Sequence, residues 1–184
     1  VIPKARPGPG LLAYLITAKF DYHLPLYRLE KAVRRMGGSI GRSSMCFWLS
    51  ESAILLEGII RTLKAELIAS GVVRLDDTPV TMLDETKDSG SSKSFMWPFM
   101  NDERQVVFLW TRTKGRAGPA EFFGDFQGWL QGDGANVNKS LAGDGVIFVG
   151  CWAHARRYFF KICDDFPKEC GEILDLIDGI YAVE

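Results

Sequence analysis

Two aspartates follow short apolar segments, and their positions suit chemistry better than packing. Asp76 follows the largely apolar run Val72-Val73-Arg74-Leu75, and Asp133 follows residues 128–132. Apolar runs bounded by glycine or proline are typical of buried strands, and an unpaired charge in a protein core costs several kcal/mol. We therefore expect both carboxylates at strand ends, where a neighbouring pair could bind divalent metal ions for phosphoryl transfer.

Plainer interpretations of these aspartates stay open. Asp76 could accept a hydrogen bond in an Asx-turn with Thr78, and Asp133-Gly134 is a common turn pair. The two carboxylates could also work without metal as an acid/base pair, as in glycosidases, which would give a bell-shaped pH profile. Asp77 is expected to face solvent or to lie behind the metal ligands.

Composition limits the class of protein. The 184 residues are 47% hydrophobic, which allows a sizeable core, and the net charge of −1 means that any nucleic-acid binding must come from local basic patches. We find no apolar stretch approaching the roughly 20 residues of a membrane span. The four cysteines form no CxxC motif and are expected to be reduced in the cytoplasm. A zinc site from His154, Cys163 and Cys170 is conceivable, although its spacing matches no common ligand pattern.

The N-terminal part is predicted to be helical. Residues 1–10, rich in proline and glycine, are expected to form a linker, and residues 11–70 a helix-turn-helix-like DNA-binding segment. Apolar spacing favours helices over residues 11–20 and 26–36, a third from about residue 45, and a long amphipathic stretch over residues 53–69. Serines are good N-caps, so the third helix could begin at Ser43 or Ser44.

Basic and polar residues of this segment are the DNA-binding candidates. Arg42, Ser43 and Ser44 could meet phosphates or base edges from the N-terminus of the third helix, which favours anions. Arg28 lies on the polar face of the preceding helix and is a further candidate. A helical bundle with a solvated arginine face would show the same pattern.

Residues 71–184 are predicted to form an α/β domain. Three antiparallel strands, a helix, and two further strands alternating with helices give the order of a ribonuclease-H-like mixed sheet, one α/β arrangement among several. In that topology the first and fourth strands are neighbours, so Asp76 and Asp133 would be adjacent although far apart in sequence. Arg156 and Arg157 lie in a predicted helix over residues 151–166, where at least one could grip DNA phosphate.

Several segments resemble, in the same order, motifs of the insertion-sequence sixty-six family of bacterial DDE transposases. The motifs are long, and together they cover essentially the whole chain. In this sequence they are Lys19-Phe20-Asp21-Tyr22-His23-Leu24-Pro25-Leu26-Tyr27-Arg28, Gly41-Arg42-Ser43-Ser44 to Trp48, Asp76-Asp77-Thr78-Pro79, Phe126 to Gly134, and Cys151-Trp152-Ala153-His154-Ala155-Arg156-Arg157-Tyr158-Phe159.

The resemblance implies a nuclease and strand transferase that acts on mobile-element DNA ends and usually works as a homo-oligomer. The family's first two catalytic carboxylates fall on Asp76 and Asp133, which would hold two Mg²⁺ (or Mn²⁺) ions. Its third, a glutamate in an Asn-x-x-Glu-Arg context, has no match, and its upstream cysteine-rich segment is also missing. We therefore expect a chain truncated at both ends and, by itself, inactive or nearly so. The alternative is a transposase remnant that only binds DNA.

Two positions depart from the family pattern. Asp77 stands where glutamate is usual, which keeps the charge. Residues 135–138, Ala-Asn-Val-Asn, lie in an expected polar loop and replace the usual Tyr-x-x-Tyr after Asp133-Gly134. Because that change removes aromatic groups next to the expected metal site, we expect it to weaken normal activity.

Overall fold

The computed structural model describes residues 7–143 and 145–183. The chain divides into two compact units, residues 1–61 and residues 62–184. The division falls inside one long helix, whereas the boundary expected from the sequence lies at residue 70, where that helix has just ended.

The first unit is helical. Helix α1 spans Pro9–Ile16, continues into a π-helical segment at Thr17–Asp21, and is followed by α2 at Leu26–Arg35. Helix α1 begins two residues inside the predicted linker, because a proline fits the first turn of a helix; residues 1–6 of that linker lie outside the described residues. The core side chains of this unit are Leu15, Ala18, Leu29, Val33 and Met45.

Helix α3 is a single helix, Arg42–Ala69, where the sequence pattern suggested two successive segments. Its first turn includes Ser43 and Ser44, so the prediction that a serine caps the helix is wrong. The backbone N–H of Met45 donates to the carbonyl of Gly41 at 3.2 Å, which places the start of the helix at Arg42.

The middle of α3 is apolar and exposed. Ile54, Leu55 and Ile59 are each more than half exposed. Among the described helices, α3 alone is long and apolar enough to cross a membrane by length and composition, which corrects the expectation that no such stretch exists. One such helix is weak support for a membrane span, since core helices of soluble proteins pass the same test.

The second unit is built on a mixed sheet. The strands in its described residues are β1 (Val72–Leu75), β2 (Thr78–Leu83), β3 (Ser91–Met100), β4 (Val106–Thr111), β5 (Gly128–Gly132) and β6 (Val146–Gly150). Its helices, after the end of α3, are α4 (Ala117–Phe123), α5 (Asn136–Lys139), α6 (Trp152–Lys161) and α7 (Pro167–Tyr181). The chain is therefore α/β, as predicted.

Strand pairing places β1 at the centre. Both β1 and β2 run antiparallel to consecutive parts of β3, and β4 pairs with β3 along its other edge. On its other side β1 pairs in parallel with β5, which pairs in parallel with β6. The sheet thus combines antiparallel strands on one side with parallel strands on the other.

Aromatic and aliphatic side chains form the core under this sheet. The rings of Phe99 and Phe122 stack with their centroids 3.8 Å apart. Trp97, Phe99 and Leu130 are completely buried, and burying a side chain of this size stabilises the fold by about 1.5–3 kcal/mol. This core fixes β1, β3 and β5 firmly, and therefore fixes the residues at their ends.

Two local predictions need correction. The helix predicted over residues 151–166 ends at Lys161, and α7 begins at Pro167. The segment after Asp133, expected to be a polar loop, contains the short helix α5. The second correction matters for the site, because α5 brings an asparagine back to Asp133.

Candidate metal centre

Asp76 and Asp133 lie at neighbouring strand ends. In the parallel pair of β1 and β5, Arg74 is opposite Gln131, and the two aspartates follow two residues later on each strand. The carboxyl ends of parallel strands share one edge of a sheet, where α/β proteins commonly place ligands. The structure therefore places the two aspartates that the sequence singled out at neighbouring strand ends.

The Asp76 side chain is exposed and held by the backbone. Its Oδ1 accepts a hydrogen bond from the backbone N–H of Asp77 at 2.8 Å. The Asx-turn considered for Asp76 and Thr78 is therefore not the contact that forms. Within the described residues, Oδ2 of Asp76 accepts no protein hydrogen bond, so it is available to a cation or a substrate.

The Asp133 side chain is half-buried and held by two donors. Its Oδ1 accepts from the backbone N–H of Ala135 at 3.0 Å and from Nδ2 of Asn138 at 2.6 Å. No donor from the described part of the chain reaches its Oδ2. Each aspartate thus has one oxygen fixed by the protein and one left over.

Asp77 points the other way and forms an ion pair. Its Oδ1 lies 2.7 Å from Nζ of Lys114, a residue of the loop between β4 and α4, and its side chain is only 6% exposed. Successive side chains of an extended strand alternate between faces, which explains why Asp77 turns inward when Asp76 turns outward. The expectation of a solvent-facing Asp77 is wrong; the residue lies behind the strand end and anchors it.

A largely apolar cavity of about 220 Å³ adjoins Asp76. Its walls include Leu75, Pro98, Met100 and Val106, and the ring of His154 from α6 lines it as well. Nδ1 of His154 is buried and has no hydrogen-bond partner among the described residues. The cavity places an apolar surface and an imidazole beside the exposed carboxylate.

The carboxylate pair has the right ligand type for a hard divalent cation but supplies only two protein ligands. Two free carboxylate oxygens on rigid strand ends are the ligand type that Mg²⁺ and Mn²⁺ prefer. In residues 7–143 and 145–183, no group of three His, Cys, Asp or Glu side chains is placed to hold a metal. The structure therefore does not assemble the zinc site from His154, Cys163 and Cys170, and it adds no third carboxylate to Asp76 and Asp133.

The residues proposed to bind DNA differ in whether their side chains already have a protein partner. Nε of Arg42 lies 3.1 Å from Oε2 of Glu30, and Nε of Arg28 donates to the Tyr27 hydroxyl at 3.1 Å. Arg42, Ser43 and Ser44 are all exposed in the first turn of α3.

On α6, Nε of Arg156 lies 3.1 Å from Oδ1 of Asp178. Arg157 is exposed and has no ion-pair partner in the described chain. Of the two arginines, Arg157 is therefore the one available to a phosphate. The helix that carries it begins beside the carboxylates, because the backbone N–H of Cys151 donates to the carbonyl of Gly132 at 2.9 Å.

Sequence reasoning missed two supporting residues. Lys114 gave no signal, because a lysine in a loop is normally solvated. Asn138 lies five residues after Asp133, in a segment that was expected to be a polar loop and to depart from the family pattern. Recognising a short helix after β5 would have predicted that its asparagine could reach back to the strand end.

Comparison with known proteins gives a family match over nearly the whole chain. A model of the family described as "Transposase IS66 family" matches residues 4–184. The uncharacterized protein y4qI of Sinorhizobium fredii (strain NGR234) is 28% identical over 179 residues, covering 88% of this chain and 33% of the relative. The uncharacterized protein y4jD of the same organism is 25% identical over 191 residues, covering 95% of this chain and 37% of the relative.

The chain therefore spans about a third of the length of these relatives. No solved structure gives a significant match. The family match extends over nearly all of the sequence and includes both aspartates and the arginines of α6. This chain belongs to the IS66 family of transposases.

Proposed function

We propose that this chain is part of a DNA transposase that cuts and joins the ends of a mobile element, with Asp76 and Asp133 as metal ligands. The observation that supports the proposal is the parallel register of β1 and β5, from which Asp76 and Asp133 follow at neighbouring strand ends. Family membership supplies DNA as the substrate class.

The fold supports a ribonuclease-H-like catalytic domain over residues 71–184. Its sheet runs from β4 through β3 to β1 and β2, which share one edge of β3, and then through β5 to β6. The antiparallel strands come first and the parallel strands last, which supports the ribonuclease-H-like arrangement. The first aspartate ends the central strand, and the second ends its parallel neighbour.

The side chains of this chain would hold and orient the reacting groups. When bound, Mg²⁺ or Mn²⁺ would supply activation of a water or 3′-hydroxyl and stabilisation of the leaving oxygen. Asp76 and Asp133 each offer one oxygen to a cation, and the other oxygen is fixed by protein hydrogen bonds. Both side chains are therefore already ordered, and metal binding would cost little further conformational entropy. The two carboxylates together carry two negative charges, which repel DNA phosphate. A bound cation would neutralise these charges and allow the phosphate to approach.

DNA contacts are proposed at two places. On α6, exposed Arg157 is available to phosphate, whereas Arg156 is held by Asp178. In the predicted helix-turn-helix-like segment over residues 11–70, Ser43 and Ser44 are exposed beside the unpaired N–H groups at the start of α3. Arg42 lies in the same first turn and would have to share its guanidinium between Glu30 and DNA. Arg28 on α2 is proposed as a further phosphate contact.

A second candidate is a remnant that binds DNA and performs no chemistry. It is favoured by one observation: the described residues place two carboxylates together and no third. We accordingly expect the isolated chain to bind metal weakly and to cleave DNA slowly or not at all. DNA binding that is indifferent to Mg²⁺ and unaffected by Asp76→Asn would support this second candidate.

Manganese binding to the chain tests the proposal directly. The free Mn²⁺ signal in electron paramagnetic resonance falls as the ion binds, so it gives the affinity of wild type, Asp76→Asn, Asp133→Asn and the double variant. Asp164→Asn is the control, because Asp164 is exposed and belongs to the turn after α6. We expect binding to be lost in the double variant and kept in the control; equal binding by wild type and double variant would refute the metal centre.

A further inference from the structure

We propose that Asn138 is a positioning residue for Asp133, fixing that carboxylate in the orientation in which it can hold a metal ion. This inference rests on the proposed function, because it assigns a supporting residue to the same metal centre. The observation that carries it is the 2.6 Å hydrogen bond from Nδ2 of Asn138 to Oδ1 of Asp133.

Burial and a charged acceptor make this hydrogen bond strong. Asn138 is 0% exposed, so water does not compete for its amide, and the acceptor is a carboxylate. Hydrogen bonds to charged acceptors are shorter and about twice as strong as neutral ones. Together with the backbone N–H of Ala135 at 3.0 Å, the amide directs two donors at one oxygen. Rotating the Asp133 carboxylate would break both bonds, so Oδ2 stays directed away from α5.

Backbone geometry holds Asn138 in turn. The N–H of Asn138 donates to the carbonyl of Ala135 at 3.1 Å, which closes the first turn of α5. Gly132, the last residue of β5, leaves the space that the amide occupies: a Cβ added there would lie 3.3 Å from Nδ2 of Asn138. The strand end, the glycine and the short helix therefore form one rigid support for Asp133.

Stability alone does not explain an asparagine here. Oδ1 of Asn138 is buried and has no hydrogen-bond partner in the described residues. A buried polar atom without a partner is unfavourable, and an apolar side chain of similar size would avoid it. Asn138 carries this energetic cost and donates a hydrogen bond to a proposed metal ligand. Its presence is therefore better explained by function than by stability. The Ala-Asn-Val-Asn segment thus gains a role in the site, where the sequence alone suggested only a loss.

The test compares two fully buried asparagines in the whole chain. Asn138→Leu removes the donor at nearly constant volume. The matched control is Asn101→Leu, because Asn101 is 1% exposed and bonds Gln105 in the turn after β3. Within the described residues Asn101 forms no hydrogen bond with either aspartate. Circular dichroism confirms folding of both variants before Mn²⁺ affinity is measured, and the corresponding alanine variant replaces a leucine variant that does not fold.

We expect Asn138→Leu to weaken Mn²⁺ binding about 10-fold or more, since removing a hydrogen-bond partner of a ligand typically costs 10–100-fold in metal affinity. We expect Asn101→Leu to change the affinity less than about twofold, the effect of a substitution outside a metal site's supporting shell. A folded Asn138→Leu that binds as tightly as Asn101→Leu would overturn the assignment of Asn138.

A double-mutant cycle separates positioning from general structural damage. If Asn138 acts through Asp133, then adding Asn138→Leu to Asp133→Asn produces little further loss of Mn²⁺ affinity. A loss of the same size in both backgrounds would mean that Asn138 only supports the fold, and the proposal would be wrong. Unchanged affinity in Asp133→Asn itself would refute the metal centre as well as its support, which distinguishes the two failures.

Discussion

The ion pair behind the candidate metal centre gives the sharpest stability prediction. Nζ of Lys114 lies 2.7 Å from Oδ1 of Asp77, whose side chain is only 6% exposed. No hydrogen-bond donor from the described residues reaches the Asp77 carboxylate otherwise. Replacing Lys114 with methionine would therefore leave a carboxylate buried without a partner, immediately after Asp76 on the chain.

The size of the effect follows from burial. Removing one partner of a buried ion pair typically costs about 3–5 kcal/mol, because the remaining charge stays desolvated. The Lys114 side chain is 40% exposed, so water can enter where it stood and solvate Asp77 in part. We therefore expect Lys114→Met to lower the free energy of unfolding by about 2–3 kcal/mol.

Urea unfolding of the full chain, followed by tryptophan fluorescence, measures this change. Trp97 is completely buried in the second unit and reports on it. Arg156→Met is the matched control: it breaks the pair between Arg156 and Asp178, whose side chains are 40% and 57% exposed. Exposed pairs of this kind contribute about 0–1 kcal/mol.

Two results would contradict the reasoning. If Lys114→Met and Arg156→Met lower stability by the same small amount, Asp77 is not desolvated as its burial indicates. If Lys114→Met is equally harmful when Asp77 is already asparagine, the cost comes from lost packing of the lysine stem and not from an unpaired charge.

Three further outcomes follow from the structure. Leu130→Ala should lower the free energy of unfolding by about 2–5 kcal/mol, as buried leucines do, whereas Leu83→Ala, at a position 88% exposed, should change it by less than about 0.5 kcal/mol, both measured by urea unfolding. Burial raises the pKa of the Cys170 thiol, so near pH 8 iodoacetamide should alkylate exposed Cys46 first and Cys170 only slowly until the chain is unfolded; equal rates in mass spectrometry would count against this. Arg157→Ala should weaken binding to any DNA sequence and reduce the slope of log affinity against log salt by about one, which filter binding at several salt concentrations can measure.

The sequence predicted the strands of the sheet better than it predicted the side-chain contacts around them. Short, largely apolar runs before Asp76 and Asp133 predicted β1 and β5, whose residues alternate between fully buried and partly exposed positions, as in a strand that packs one face on the core. Adjacency of the two strands is a property of topology, which the run of strands and helices limits to few arrangements. The α/β class and the meeting of the two aspartates were therefore predictable, while the ribonuclease-H-like assignment and the metal remain proposals.

Contacts between side chains distant in sequence were not predictable in the same way. The partner of Asp77 comes from a loop after β4, and no local pattern marks Lys114 as that partner. Arg42 was expected to be free for DNA, and its pairing with Glu30 depends on how α2 and α3 approach each other. Such pairs depend on packing at the level of single side chains, which hydrophobic periodicity does not encode.

The break in strand pairing between β1 and β2 determines how Asp76 is presented at the candidate site. Leu75 is opposite Phe99 and Thr78 is opposite Met96, so Asp76 faces Pro98 across the strands. The N–H of Asp76 donates to the carbonyl of Pro98 at 3.4 Å, but proline has no N–H to return the bond. The ladder therefore opens at Asp76, since a proline within a sheet leaves a position without its hydrogen bond. A strand that loses its pairing there can turn one carboxylate out to solvent and the next inward to Lys114, so Pro98 helps to determine which aspartate is offered to a metal ion.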